Sequence, residues 1–216
     1  MSVLHFTVWS DYLCPWCYNA SVRLRRMEQE YAGRVALTWR SYLLRPSPRP
    51  GRDLERFRAY TGSWLRPAAE EDAGTFRVWE GDAGPPSHSV PPHLVAKAAA
   101  AVSDEAFRAV HDRLLRAYFA ESLDISDAAT LLALWRELGL PEDAYARAGS
   151  PELLRAVLSE HDEATEIGVT GVPTVCLRGT DALVMGAQPL AVYRRWVDRM
   201  LARADEAAAG RSGAGA

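Results

Sequence analysis

The sequence predicts an α/β fold interrupted by a large α-helical insertion, and three observations carry that reading. Residues 1–45 run strand, helix, strand. Residues 168–205 run strand, strand, helix. The stretch between them, 46–167, is dominated by helix signals. The two ends then form one layered α/β unit, discontinuous in sequence, with 46–167 inserted into it. Residues 206–216, rich in Ala, Gly and Ser, are expected to be a disordered tail.

Each element has a local reason. Leu4 to Trp9 is a short apolar and β-branched run, the signature of a strand. An amphipathic helix follows to about Tyr31, ended by Gly33 in the manner of a C′ glycine. Val35 to Leu44 is a second strand, and strand–helix–strand over this length implies a parallel pair. Arg45 to Arg52 is a Pro- and Arg-rich loop, Asp53 to Trp79 holds weak helix signals, and Gly81 to Pro92 is irregular. Helices are expected over Leu94–Val102, from a Ser103 cap to Phe119, and over Ala128–Leu138 capped by Ser126 or Asp124. Pro141 and Pro151 sit where first-turn prolines belong, and Ser150–Ile167 is the last helix of the block. Thr174–Leu177 and Ala182–Met185 flank Gly179-Thr180-Asp181 as a hairpin, and Pro189 opens a closing helix through Leu201.

Composition narrows the function. Of 216 residues, 48% are hydrophobic and 25% charged, with a net charge of −3, so a core is affordable and no basic footprint for nucleic acid exists. Lys97 is the only lysine. No run approaches the roughly 20 apolar residues of a spanning helix, so no membrane partner is expected. The start, M-S-V-L-H-F-T-V-W-S-D, has neither a basic n-region nor an apolar h-region, which predicts a cytoplasmic protein. In that compartment disulfides are usually transient and catalytic.

That shifts attention to Cys14-Pro15-Trp16-Cys17, two of only three cysteines. With Cys14 as the helix cap and Pro15 as the first helical residue, the N–H groups of Trp16 and Cys17 can point at the Cys14 sulfur. The helix dipole then favours a thiolate there. Cys14 is read as the nucleophile and Cys17 as the resolving thiol, with Pro15 and Trp16 tuning the pair. A zinc site is the competing reading. It fails for want of ligands: Cys176 lies in an apolar strand and no second C-x-x-C or H-x₃-H exists, so no metal is expected. A second signal is Gly168-Val169-Thr170-Gly171-Val172-Pro173-Thr174, where a proline at a strand entry suits either a cis Val172–Pro173 bond or an ordinary strand cap.

C-P-W-C after a short strand, G-V-T-G-V-P-T about 150 residues later and V-M-G-A-Q-P after that resemble the DsbA-like thioredoxin-fold oxidoreductases, FrnE-type branch. L-L-R-A-Y-F-A-E-S-L-D-I-S-D (114–127) and E-L-G-L (137–140) extend the resemblance over about residues 3–203. It implies a thioredoxin-like fold with a helical insertion and Cys14–Cys17 as a redox-active disulfide, with no other cofactor. Val172-Pro173 is the corresponding cis-proline dipeptide, with Val172 offering main-chain bonds to a substrate strand. His93 fits the family's histidine in P-P-S-H-S-V-P-P-H-L-V-A-K, though the family's nearby Asn is missing here.

Among other residues, Tyr12 and Trp16 are read as the apolar rim of a substrate groove and Trp9 as core. His88 reads as an exposed loop residue. His111, His161 and Asp162 read as solvated helix faces, and Cys176 as a small buried hydrophobe. The leading expectation is a thiol–disulfide oxidoreductase acting on a protein or small-molecule disulfide or dithiol. A low-molecular-weight thiol is its possible electron donor, and the chain is a monomer or homodimer. Two alternatives stand beside it. One is a thiol-dependent isomerase or transferase of the hydroxychromene carboxylate isomerase type, which typically has Ser where Cys14 stands. The other is a non-catalytic scaffold built on the helical block.

Overall fold

The computed structural model describes residues 3–49, 51 and 53–213, with side chains of the last helix through Glu206. Four strands form one mixed sheet in the order β2-β1-β3-β4. β1 (Leu4–Ser10) pairs parallel with β2 (Val35–Ser41), from Leu4 opposite Val35 to Ser10 opposite Ser41. The crossover between them is α1 (Pro15–Glu30). β3 (Thr174–Leu177) pairs antiparallel with β1, and β4 (Leu183–Met185) antiparallel with β3.

The strand alternation explains the layers. Leu4, Phe6 and Val8 point to one face and meet Ala20, Leu24 and Met27 of α1. Leu190, Tyr193 and Val197 of α9 (Leu190–Gly213) close the same cluster. Ala20, Leu24 and Met27 recur at helical spacing, so one stripe of α1 is buried on the sheet. On the opposite face Trp9 packs against Ala164 of α8 (Pro151–Glu166) and against Val169.

The insertion holds α2 (Leu54–Thr61), α3 (Leu65–Ala68), α4 (Val90–Ala100), α5 (Asp104–Glu121), α6 (Ala128–Glu137) and α7 (Glu142–Tyr145), then α8. Its core is aromatic: Phe57, Trp64, Trp79, Tyr118 and Phe119 are all buried. Tyr12, Leu13 and Tyr18, from the turn into α1, belong to this second cluster. The segment carrying the cysteines therefore bridges both cores.

Several boundaries differ from the sequence reading, each for a physical reason. β2 ends at Ser41 rather than Leu44: the Tyr42 N–H still reaches the Ser10 carbonyl of β1, but the two amides after it bond elsewhere. Leu43 N–H donates to His161 Nδ1 (3.2 Å) and Leu44 N–H to Asp11 Oδ2 (2.6 Å). α4 begins four residues early, at Val90, with Pro91 and Pro92 in its first turn, where a missing N–H costs nothing. α6 is capped by Asp127, which accepts from Thr130 N–H, and not by Ser126 or Asp124. Pro141 is the cap of α7 rather than its first residue. α9 continues past Leu201 to Gly213, through most of the stretch expected to be disordered, since alanine is the strongest helix former. Residues 214–216 of that stretch lie outside the described residues.

Candidate active site

Cys14 is the cap of α1. Its backbone is extended (φ −98°, ψ 115°), Pro15 follows at the first helical position, and the Cys14 sulfur accepts the Cys17 N–H at 3.4 Å. The Cys14 thiol also donates to the Val172 carbonyl, 3.3 Å away. Both cysteines carry free thiols and are buried, Cys14 at 5% exposure and Cys17 at 1%. Burial pushes the Cys17 thiol well up, and the neighbouring Cys14 sulfur pushes it further; a main-chain hydrogen bond from Asp11 acts against them. The pair is thus asymmetric. One sulfur sits at a helix N-terminus with a donor aimed at it, and the other is held as a neutral thiol one turn deeper.

The Val172–Pro173 peptide bond is cis. The Val172 carbonyl lies at the Cys14 sulfur although the two residues are 158 apart in sequence. Val172 and Trp16 are half-buried, and the Arg66 guanidinium lies 5.9 Å from the centre of the Trp16 ring. Pro15 is half-buried beside them.

Two expected substrate contacts are corrected. Tyr12 and His93 are each only 4% exposed and do not line a groove. The Tyr12 hydroxyl is 3.0 Å from His111 Nδ1, and His111 Nε2 is 2.9 Å from Ser21 Oγ. His93 packs edge-on against the Tyr12 ring, with centroids 4.9 Å apart. His111, expected on a solvated face, is 2% exposed. Burial holds both histidines neutral, with His93 pushed down to about 3 and His111 well below the usual histidine range. Helix α5 brings a polar group inward here because Tyr12 and Ser21 supply its partners. His161 is half-buried, and Asp162 is exposed as expected. Cys176 is half-buried rather than fully buried, on the less covered sheet face, with its thiol raised by burial and then by Asp181.

The residue that the sequence reading passed over is Asp11. It is 1% exposed, yet both carboxylate oxygens are used: Oδ1 accepts Leu13 N–H and Oδ2 accepts Leu44 N–H, each at 2.6 Å. Its main-chain carbonyl accepts the Cys14 N–H at 3.1 Å. Burial raises its carboxyl to about 6, against the Ser89 hydroxyl, the two amides and the Arg45 charge, which lower it. Ser89 in turn accepts the Arg45 N–H (3.1 Å). One carboxylate thereby ties the turn before Cys14 to the exit of β2 and to the start of α4. An Asp three residues before a C-x-x-C was the available signal, since Asp favours turns that bond the backbone two residues on. Asn19 is a second such residue. Wholly buried, it donates to Pro67 C=O and accepts from Gly74 N–H, both at 2.9 Å.

Chemically, the arrangement supplies a nucleophilic sulfur, a second sulfur one helical turn away, and a carbonyl at the mouth. Among the described residues no cluster of three or more His, Cys, Asp or Glu side chains could hold a metal ion, and no helix is long and apolar enough to cross a membrane.

Known structures share this arrangement of elements. Cytosolic disulfide reductase DsbM from Pseudomonas aeruginosa is 24% identical, covering 94% of this chain and 99% of that one, with a TM-score of 0.72. A structure described as a probable DsbA oxidoreductase from Streptomyces coelicolor is 25% identical over 91% of this chain and 89% of its own, with a TM-score of 0.71. A 2-hydroxychromene-2-carboxylate isomerase shares the fold at 17% identity, over 94% and 98% of the two chains, with a TM-score of 0.66. The model of the DSBA-like thioredoxin domain matches residues 6–197, nearly the whole chain, and this protein belongs to that family of thiol–disulfide oxidoreductases.

Proposed function

We propose that this protein is a dithiol–disulfide oxidoreductase in which Cys14 is the nucleophile and Cys17 the resolving thiol. The observation that carries the reading is the Cys14 sulfur at the N-terminus of α1, accepting the Cys17 N–H and lying 3.3 Å from the Val172 carbonyl. In the reducing direction the Cys14 thiolate attacks a substrate disulfide, that S–S bond breaks, and one substrate thiol leaves. Cys17 then gives up its proton and attacks the Cys14 sulfur of the mixed disulfide. The Cys14–Cys17 disulfide forms, and the second substrate thiol leaves with the electron pair. The oxidising direction is the reverse. Pro15 and Trp16 set the environment of the pair. Val172 and Pro173 form the wall against which a substrate strand lies, with no further cofactor. A cytosolic setting agrees with the likeness to DsbM, described as a cytosolic disulfide reductase, and a low-molecular-weight thiol is the electron donor we assign, DsbM being also described with GSH.

The deciding experiment equilibrates the protein in graded thiol/disulfide buffers. Cys14 and Cys17 should titrate together as one two-electron couple. A potential near that of thioredoxin, about −270 mV, marks a reductase, and one near that of DsbA, about −120 mV, marks a disulfide donor. Cys14→Ser should abolish exchange, and Cys17→Ser should accumulate a mixed disulfide at Cys14. A pair that does not titrate sinks the proposal and favours the isomerase or scaffold reading.

A further inference from the structure

β1 and β2 are parallel, so the turn into Cys14 and the loop out of β2 leave the sheet at the same edge. Ligands of open parallel sheets bind outside the carboxyl ends of their strands. At that edge lies an open cavity of about 470 Å³ lined by Arg45, Arg49, Asp53, Arg56, Phe57 and Tyr60. Three of those six side chains are guanidinium groups, set against one carboxylate. None of the three makes an ion pair with a described residue, although the described surface holds many such pairs. Among the described residues the Arg45 guanidinium donates to the Pro86 carbonyl at 3.5 Å, and its charge also acts on the buried Asp11 carboxyl. Asp53 is partly occupied as the cap of α2, accepting the Arg56 N–H at 3.0 Å.

One residue of the lining, Arg45, is tied through the backbone to the redox turn. Leu44, whose amide is held by Asp11, immediately precedes Arg45, and the other oxygen of the same carboxylate holds the Leu13 amide next to Cys14. Guanidiniums that line one cavity and make no ion pair among the described residues are suited to carboxylate and phosphate, because the planar fork of Arg matches both oxyanions.

We propose that the Arg45–Arg49–Arg56 cavity receives an oxyanion group, carboxylate or phosphate, of a small disulfide whose sulfur reacts at Cys14. The inference rests on the oxidoreductase reading and specifies its substrate class as anionic disulfides. The chemical step is the one already described, with two electrons passing from the Cys14–Cys17 dithiol to the substrate disulfide. The cavity contributes attraction and orientation only, so the preference weakens as salt screens it.

The test is a single-turnover measurement with pre-reduced protein, which needs no added reductant. Rates are compared for 3,3′-dithiodipropionate (a dicarboxylate), bis(2-hydroxyethyl) disulfide (neutral) and cystamine (a dication). In R49E/R56E the dicarboxylate-to-cystamine rate ratio should fall by about tenfold or more at low ionic strength, as expected for reversing two nearby charges. R195E/R199E makes the same change in net charge on the exposed face of α9 and should leave that ratio within about twofold. Inorganic phosphate and succinate, added as competitors, separate the two oxyanions. Stronger protection by phosphate assigns a phosphate-bearing substrate, and stronger protection by succinate a carboxylate.

If the wild type reduces all three disulfides and R49E/R56E leaves their ratio unchanged, the cavity proposal is overturned and the oxidoreductase reading stands. If the wild type reduces none of them and its dithiol does not titrate, the oxidoreductase reading falls and takes this proposal with it. Far-ultraviolet circular dichroism of both double variants distinguishes a lost cavity from a lost fold.

Discussion

Helix α1 packs in two ways, and the contrast organises the molecule. Toward the sheet and α9 it presents Ala20, Leu24 and Met27 to a cluster built almost entirely of apolar side chains. Toward the insertion it presents Asn19 and Ser21, buried and hydrogen-bonded across 48 to 90 residues of sequence. Arg23, 1% exposed, reaches the carbonyls of Ala187, Gln188 and Glu71 and the Glu70 carboxylate. Apolar packing tolerates exchange among side chains of similar volume, whereas a satisfied polar network has one arrangement and is costly when half broken. The redox pair sits at the seam, so one side gives the helix its bulk stability and the other fixes where its N-terminus points.

Four variants can break or sharpen this contrast. The largest effect is expected on the apolar side. Leu24→Ala should cost about 3 kcal/mol, read as a shift of the denaturant midpoint, while exchange in the surviving folded fraction persists. A loss of exchange larger than the loss of folded protein would mean that this face also positions the cysteines.

The polar side responds to pH. The Asp11 carboxyl sits near 6 in the fold and near 3.9 when unfolded, so the native state binds the proton more tightly. Its stabilising contribution is full below about pH 4 and declines as the pH rises through 6, by on the order of 3 kcal/mol. His93 and His111 act oppositely. Held neutral by burial, they contribute fully above pH 6.5 and lose that contribution as the pH falls. Denaturation curves from pH 4 to 8 should show the stability of wild type relative to Asp11→Asn falling across pH 4–6. Parallel profiles would show that the carboxylate does not titrate in that range.

Asn19→Ala leaves the Pro67 carbonyl and Gly74 amide without their partner and should cost about 2 kcal/mol. It should also change the exchange rate per folded molecule, because α3 carries Pro67 next to the Arg66–Trp16 contact. An unchanged rate would assign Asn19 a purely structural part. The smallest effect is Ser103→Ala, which removes the side chain that caps α5 by accepting the Ala106 N–H (3.1 Å). It should cost about 1 kcal/mol without touching exchange.

The same contrast explains what could be read from the sequence. Strand alternation, the apolar stripe of α1, the caps at Ser103 and Ser150 and the hairpin about Gly179 are local patterns, and they appear where local rules put them. Cys14 as a helix cap with Pro15 behind it was legible for the same reason. Tyr12, His93 and His111 were misplaced because a polar group on a helix or in a turn looks the same whether it faces water or a partner. Tyr12 and His111 are 99 residues apart, and no spacing announces that they meet. Asp11 was missed on similar grounds: its bond to Leu13 is local, but the bond to Leu44 that buries it is not. The arginine cavity likewise takes residues from the loop after β2 and from α2, and only the fold shows that they converge.

The short bond between the Cys14 thiol and the Val172 carbonyl has a thermodynamic corollary. That carbonyl has two lone pairs, and an incoming amide that takes the one facing the sulfur displaces the thiol. Once Cys14 has no proton to give, as a thiolate or within a disulfide, the competition ends. A ligand whose amide binds at Val172 must then bind more tightly to those forms than to the neutral dithiol. By reciprocity its binding must favour them by the same factor. Occupancy of one main-chain oxygen and the chemical state of one sulfur are therefore coupled variables, and changing either shifts the other.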